Sequence, residues 1–156
     1  DPTYATWYGN LRQFEFSATV MKEVFCIFHI PHDYVPGTPF YFHAHWSNKA
    51  ASPNTGTVIW GFEYTWAKGY EQMPFGASGT ITVSKACSAT QYMHHISETT
   101  PVTLTGIEVD GLLIMRVYRD AATDTCTDPI YLHTADVHYQ STGIPTKQRN
   151  GPGFYT

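Results

Sequence analysis

Residues 57–69, TVIWGFEYTWAKG, alternate bulky and small side chains along their whole length. Val58, Trp60, Phe62, Tyr64 and Trp66 form one set; Ile59, Gly61, Glu63 and Thr65 form the other. A period of two belongs to a strand, because successive Cβ atoms point to opposite faces. Large aromatics in a row on one face are expected as the inner layer of two packed sheets. The same period recurs in FEFSATV (14–20), VFCIFHI (24–30), FYFHAHW (40–46) and GTITVSKA (79–86). SATQYMHHIS (88–97), PVTLTGIEV (101–109), LLIMRVYR (112–119) and PIYLHTADVHYQ (129–140) continue it. Turn signals separate these runs, among them Pro36-Gly37-Thr38-Pro39, the polar stretch 48–57 and Asp110-Gly111.

No long segment carries the 3.6-residue period of a helix. The fold class that follows is all-β: an antiparallel two-sheet sandwich, jelly-roll-like, with eight or nine strands. Residues 1–140 form a single β-sandwich domain. The tail 141–156, STGIPTKQRNGPGFYT, is rich in Gly and Pro and reads as an extended C-terminal arm. Phe42 and Trp46 alternate in phase with each other, and join Trp60, Phe62, Tyr64 and Trp66 as the expected core.

Composition bears on partners. Charged residues make up 14% of the 156, against about 25% in an average soluble protein. Aromatics reach 15%. A surface so poor in charge fits a chain covered by copies of itself, and a homotrimer is the expected assembly. Net charge is −4 with no basic run, so neither nucleic acid nor an anionic membrane is an expected partner. Cys26, Cys87 and Cys126 are odd in number and form no CxxC pair. They predict no disulfide framework and a reducing cytoplasm as the folding compartment. Cys26, inside VFCIFHI, reads as a small buried hydrophobe.

Chemistry concentrates in Phe28 to Ser47, FHIPHDYVPGTPFYFHAHWS, which holds His29, His32, His43 and His45. His43 and His45 share a strand face. Gly37-x5-His43-x-His45 matches the opening of the cupin metal motif, G-x5-H-x-H. Neutral imidazoles in such a cluster suit first-row transition metals. The match stops there: no carboxylate follows His45 closely, and the second cupin motif is missing. His133 and His138 are candidates for distant ligands, with no pattern to place them against His43. Asp136 and His138 share a face and suit a carboxylate–imidazole pair. His94 and His95 are adjacent, face opposite sides of a strand and are expected to share no site. The carboxylates Asp120, Asp124 and Asp128 lack the alternate spacing and glycine of an EF-hand. Aromatics in loops, such as Tyr34, Tyr70 or Phe75, would suit a glycan. No Gly-rich phosphate loop, no G-x-S-x-G and no Cys–His nucleophile arrangement is present.

FHIPHDYVPGTPFYFHAHWS, then LLIMRVYRDAATDT, then PIYLHTADVHYQ, in that order, resemble a group of small virion proteins of tailed bacteriophages. The resemblance covers about residues 7–140. It implies a jelly-roll-like sandwich in the virion, assembled in the host cytoplasm. The implied function is structural and non-enzymatic: capsid decoration (cement), or a fibre or spike subunit. Self-assembly is the implied mode, with the major capsid protein or tail components as further partners. A receptor- or glycan-binding head is the alternative, and a cupin-like metalloenzyme a further one. On the structural reading His29, His32, His138, Phe154 and Tyr155 are interface candidates. No cofactor is expected. The residues that would take a transition metal are His43 and His45, between subunits, where symmetry supplies the missing ligands.

Overall fold

The structure is a computed structural model that describes residues 1–50 and 56–143. Most of the expected arm, with Phe154 and Tyr155, lies outside the described residues.

Nine strands occur among the described residues, and no helix: β1 (Thr3–Tyr8), β2 (Leu11–Phe16), β3 (Lys22–His29), β4 (Tyr41–Asn48) and β5 (Thr57–Ala67). β6 (Gly79–Ala86), β7 (His94–Glu98), β8 (Leu112–Arg119) and β9 (Ile130–His138) follow. One sheet has the order β1-β2-β9-β4-β7, the other β3-β8-β5-β6, and every pairing is antiparallel. From β2 to β5 the chain changes sheet at every step, which is how a jelly roll winds. β1 is added at the edge by a hairpin through Gly9 and Asn10.

The core confirms the alternation. Phe42, Trp46, Trp60 and Phe62 are fully buried, while Tyr64 and Trp66 pack against them half-buried. Phe16 meets Trp60 edge-on across the two sheets, at 5.1 Å between ring centroids. Phe42 packs on Phe62 at 5.7 Å and on Tyr64 at 5.1 Å. On the outer side of β5 only glycine fits at position 61. A Cβ there would meet the Tyr118 ring at 2.1 Å. Tyr118, its ladder partner, lies over the bare backbone and carries the Arg116 guanidinium above its ring.

Several expectations are corrected. Residues 101–109 form no strand. Val102, Leu104, Ile107 and Val109 are buried, but Gly106 adopts φ +80° and the segment turns, with an isolated bridge between Val102 and Phe40. Residues 17–20 and 88–93 are turns, so β2 and β7 are shorter than their apolar runs. Tyr34 is buried and stacked on Phe40, and so cannot serve an external glycan.

The cysteine expectation fails too. Cys87 and Cys126 form a disulfide, with Cα atoms 6.5 Å apart. Linear spacing hides the reason. Cys87 follows β6 directly and donates its N–H to Gly56 O, while the Cys126 N–H donates to Thr57 O. The start of β5 thus holds both cysteines. Cys26 is free, and burial pushes its thiol up to about 11.

Candidate functional site

β4 lies between β7 and β9, and its alternation divides its side chains sharply. Phe42, Ala44 and Trp46 enter the core. His43, His45 and Ser47 face outward, away from the sandwich interior. β7 adds His94 and Glu98 on that outer face, opposite Ser47 and His43 in the ladder.

β9 contributes through an irregularity. Thr134 pairs with His45 and Leu132 with Trp46, so His133 is left as an extra residue between them. Such a bulge reverses the facing of everything beyond it. Ile130 and Leu132 before it, and Ala135 and Val137 after it, all pack against the core. His133, Asp136 and His138 therefore share the outer face. Asp136 is three positions beyond His133, and a regular strand would have put them on opposite sides.

Five imidazoles and two carboxylates converge there. His43 Nε2 is 2.6 Å from Glu98 Oε2. An ionised carboxylate only accepts, so His43 donates and Nδ1 carries its lone pair. That Nδ1 is 3.5 Å from Asp136 Oδ1. His45 Nδ1 and His94 Nε2 share a hydrogen bond of 3.0 Å. His45 Nε2 lies 3.1 Å from Asp136 Oδ2, within ion-pair range, but its N–H direction is not along that line and no hydrogen bond forms. The His138 ring centroid is 3.7 Å from that of His43.

His43 is 2% exposed, and its Nδ1, His45 Nε2 and Asp136 Oδ1 are all buried without a hydrogen-bond partner. Burial holds His45 below its ordinary pKa, against the opposing pull of the Asp136 charge. Burial does the same to His133, reinforced by His94 and His45. Burial thus favours the neutral form of His45 and His133, the form that offers a lone pair.

Two features flank the cluster. On one side an open cavity of about 430 Å³ is lined by Pro39, Tyr41, Glu98, His138, Tyr139 and Gln140. On the other, Trp7 donates its indole N–H to Ser47 Oγ at 3.1 Å, and its ring meets His133 at 4.8 Å and Tyr92 at 5.8 Å. Tyr8 packs on Tyr92 at the exposed margin.

Of the residues singled out by sequence, His43, His45, His138, Asp136 and His133 come together. His94 joins them through His45, a role that the sequence reading did not give it. His95 does point the other way, onto Trp46. Glu98 is the residue that sequence reasoning missed; its only signal is the alternation His94, Ile96, Glu98 in a short strand. His29 and His32 do not join the cluster. They meet Asp110 instead, at 3.3 and 2.8 Å. The carboxylate loop 120–128 holds an internal cation. The Arg119 side chain is wholly buried, and donates to both Asp124 oxygens and to the main-chain oxygens of Cys126 and Asp128.

No protein-family model matches the chain, and no curated protein sequence does. Among solved structures, one described as "Family 16 Carbohydrate Binding Module-2" is similar at 15% identity, covering 84% of this chain and 79% of its own, with a TM-score of 0.38. The overlap is too loose to carry that protein's ligand over.

Proposed function

We propose that the chain is a structural subunit of a bacteriophage particle, acting by assembly with copies of itself and with other virion proteins rather than by catalysis. One observation carries this reading. Phe25 and Ile27 on β3 are each 66% exposed. β3 is one of the two edge strands of its sheet, paired only with β8. Natural edge strands are normally shortened, charged or covered, because an apolar free edge recruits other chains. Here Phe25 and Ile27 form the middle of the outward side, between Glu23 and His29, and Val20 and Met21 nearby are exposed as well. A second copy of the chain is the occupant that fits, given a chain in which only 14% of residues are charged. The phage assignment itself rests on the sequence resemblance.

Light scattering at micromolar concentration tests the reading. A homo-oligomer is expected, dissociating in Phe25→Glu/Ile27→Lys while the far-ultraviolet circular dichroism is unchanged. A wild-type chain that stays monomeric at 17.6 kDa, and is missing from purified particles by mass spectrometry, overturns it.

A second reading, a receptor- or glycan-binding head, is favoured by the open aromatic margin of Trp7, Tyr8 and Tyr92. A glycan array separates the two. Binding that is lost in Tyr8→Ala/Tyr92→Ala supports the head.

A further inference from the structure

We propose that His43, Asp136 and His138 of a single chain, with His45 beside them, bind one divalent first-row transition-metal ion of the zinc class. The site lies on the outer face of the five-stranded sheet, with a coordination position open toward the adjoining cavity. This replaces the sequence expectation of a metal between subunits. It stands apart from the assembly reading, which rests on the other sheet.

The argument begins with the directions of protons. Glu98 takes the Nε2 proton of His43, so Nδ1 presents a lone pair to Asp136 at 3.5 Å. If His45 gives its Nδ1 proton to His94, its Nε2 carries a second lone pair, 3.1 Å from the same carboxylate but not aimed at it. Lone pairs facing carboxylate oxygens repel unless a cation lies among them. His43 Nδ1, His45 Nε2 and Asp136 Oδ1 are also left buried without hydrogen bonds, and orphaned buried atoms are individually costly. A cation held by His43 and Asp136 gives both of them the missing partner, with the His45 nitrogen beside it.

Distances and charge agree. His43, Asp136 and His138 each offer a ligand atom within 4.8 Å of the others. Two ligands at about 2.0–2.1 Å from a tetrahedral ion stand about 3.4 Å apart, close to the His43–Asp136 separation. Among the described residues, no Lys or Arg is within ion-pair distance of Asp136 or Glu98; their ionic neighbours are histidines. Two carboxylates with no Lys or Arg beside them suit a divalent cation.

The surroundings have the form of a ligand's second layer. A metal-bound histidine ordinarily donates its other N–H to a carboxylate, which fixes the ring and raises its basicity. Glu98 does this for His43. Imidazole with a carboxylate suits zinc, iron, nickel or copper better than calcium or magnesium. His138 and Glu98 also line the cavity, so an exogenous oxygen ligand could reach the ion.

Tag-free full-length protein, stripped with chelator and then titrated with Co²⁺ and Zn²⁺, tests the site. About one equivalent is expected to bind, with visible cobalt absorption that zinc abolishes. Asp136→Asn, on a partly exposed side chain of unchanged size, should weaken binding at least about 100-fold with the fold intact by circular dichroism, and His138→Ala should do likewise. His32→Ala, a histidine that meets Asp110 and lies outside the cluster, should leave the affinity unchanged. The proposal is overturned if the wild type takes up no stoichiometric Zn²⁺, Co²⁺, Ni²⁺ or Mn²⁺. It is equally overturned if binding survives Asp136→Asn/His138→Ala. Neither outcome alters the oligomeric state by which the assembly reading is judged.

Discussion

His43 and Glu98 stand directly opposite each other in the β4–β7 ladder and are joined by a 2.6 Å hydrogen bond, although 55 positions separate them in the chain. That bond sets which nitrogen of a buried imidazole is free. Removing it should loosen the ring and its preferred tautomer without opening the core, because Glu98 is exposed. Glu98→Ala is therefore expected to lower metal affinity by about 10–100-fold, the usual cost of losing an outer carboxylate partner. Competition titration against a chromophoric chelator measures it. An unchanged affinity would mean that His43 is not a ligand.

Trp60 is the largest test of the core. It is fully buried, edge-on to Phe16, and lies on β5 between β8 and β6. Trp60→Ala should cost about 3–5 kcal/mol, combining lost transfer energy with a cavity that the sheets cannot close. Urea unfolding gives the figure. A loss below about 1 kcal/mol would show the site collapsing freely, contrary to two sheets held apart by aromatics.

The Cys87–Cys126 bond closes a loop of 39 residues that includes β7 and β8. It should contribute about 2–4 kcal/mol, mostly by restricting the unfolded chain. Cys87→Ser/Cys126→Ser is expected to lower the urea midpoint by the corresponding amount. Thiol titration of denatured, unreduced protein should find one reactive group, Cys26. Three would show that the bond does not form.

What the sequence revealed follows from the range of the forces involved. The phase of β5 and the bounds of β6 and β8 are local properties, and Trp60, Phe62 and Met115 announce them by alternation. The shared face of His43 and His45 is local as well. The partners of these histidines are not. Asp136 reaches His43 through a ladder register between distant strands. His133 joins them only because a bulge reverses β9. Glu98 sits in a strand too short to mark itself. Residues 101–109 misled because Val102 and Leu104 alternate like a strand, while Gly106 turns the chain. The disulfide escaped for the same reason as the site: proximity to the start of β5 is a property of topology.

His95 supplies a pH test that is separable from the other histidines. Its ring stacks on Trp46 at 4.3 Å, and its Nε2 is buried without a hydrogen-bond partner. Burial lowers its pKa, with Lys85 and then His94 adding repulsion. Stacking on an indole favours a cation, but by only about 0.5–2 kcal/mol, and here desolvation and like charge oppose it. The sign follows from linkage. With the folded value lowered, the unfolded chain takes up the proton first, so stability falls as the pH drops. The loss begins near the ordinary histidine value of about 6.5, and stops growing once the pH passes the lowered folded value. His95→Phe keeps the stack and removes the titration. Between about pH 7 and 5, with chelator present in both samples, the variant's unfolding free energy should fall less steeply than that of the wild type. His45 and His133 also carry lowered values, and they contribute equally to both proteins. Identical slopes would mean that His95 takes up its proton as readily in the folded chain as in the unfolded one.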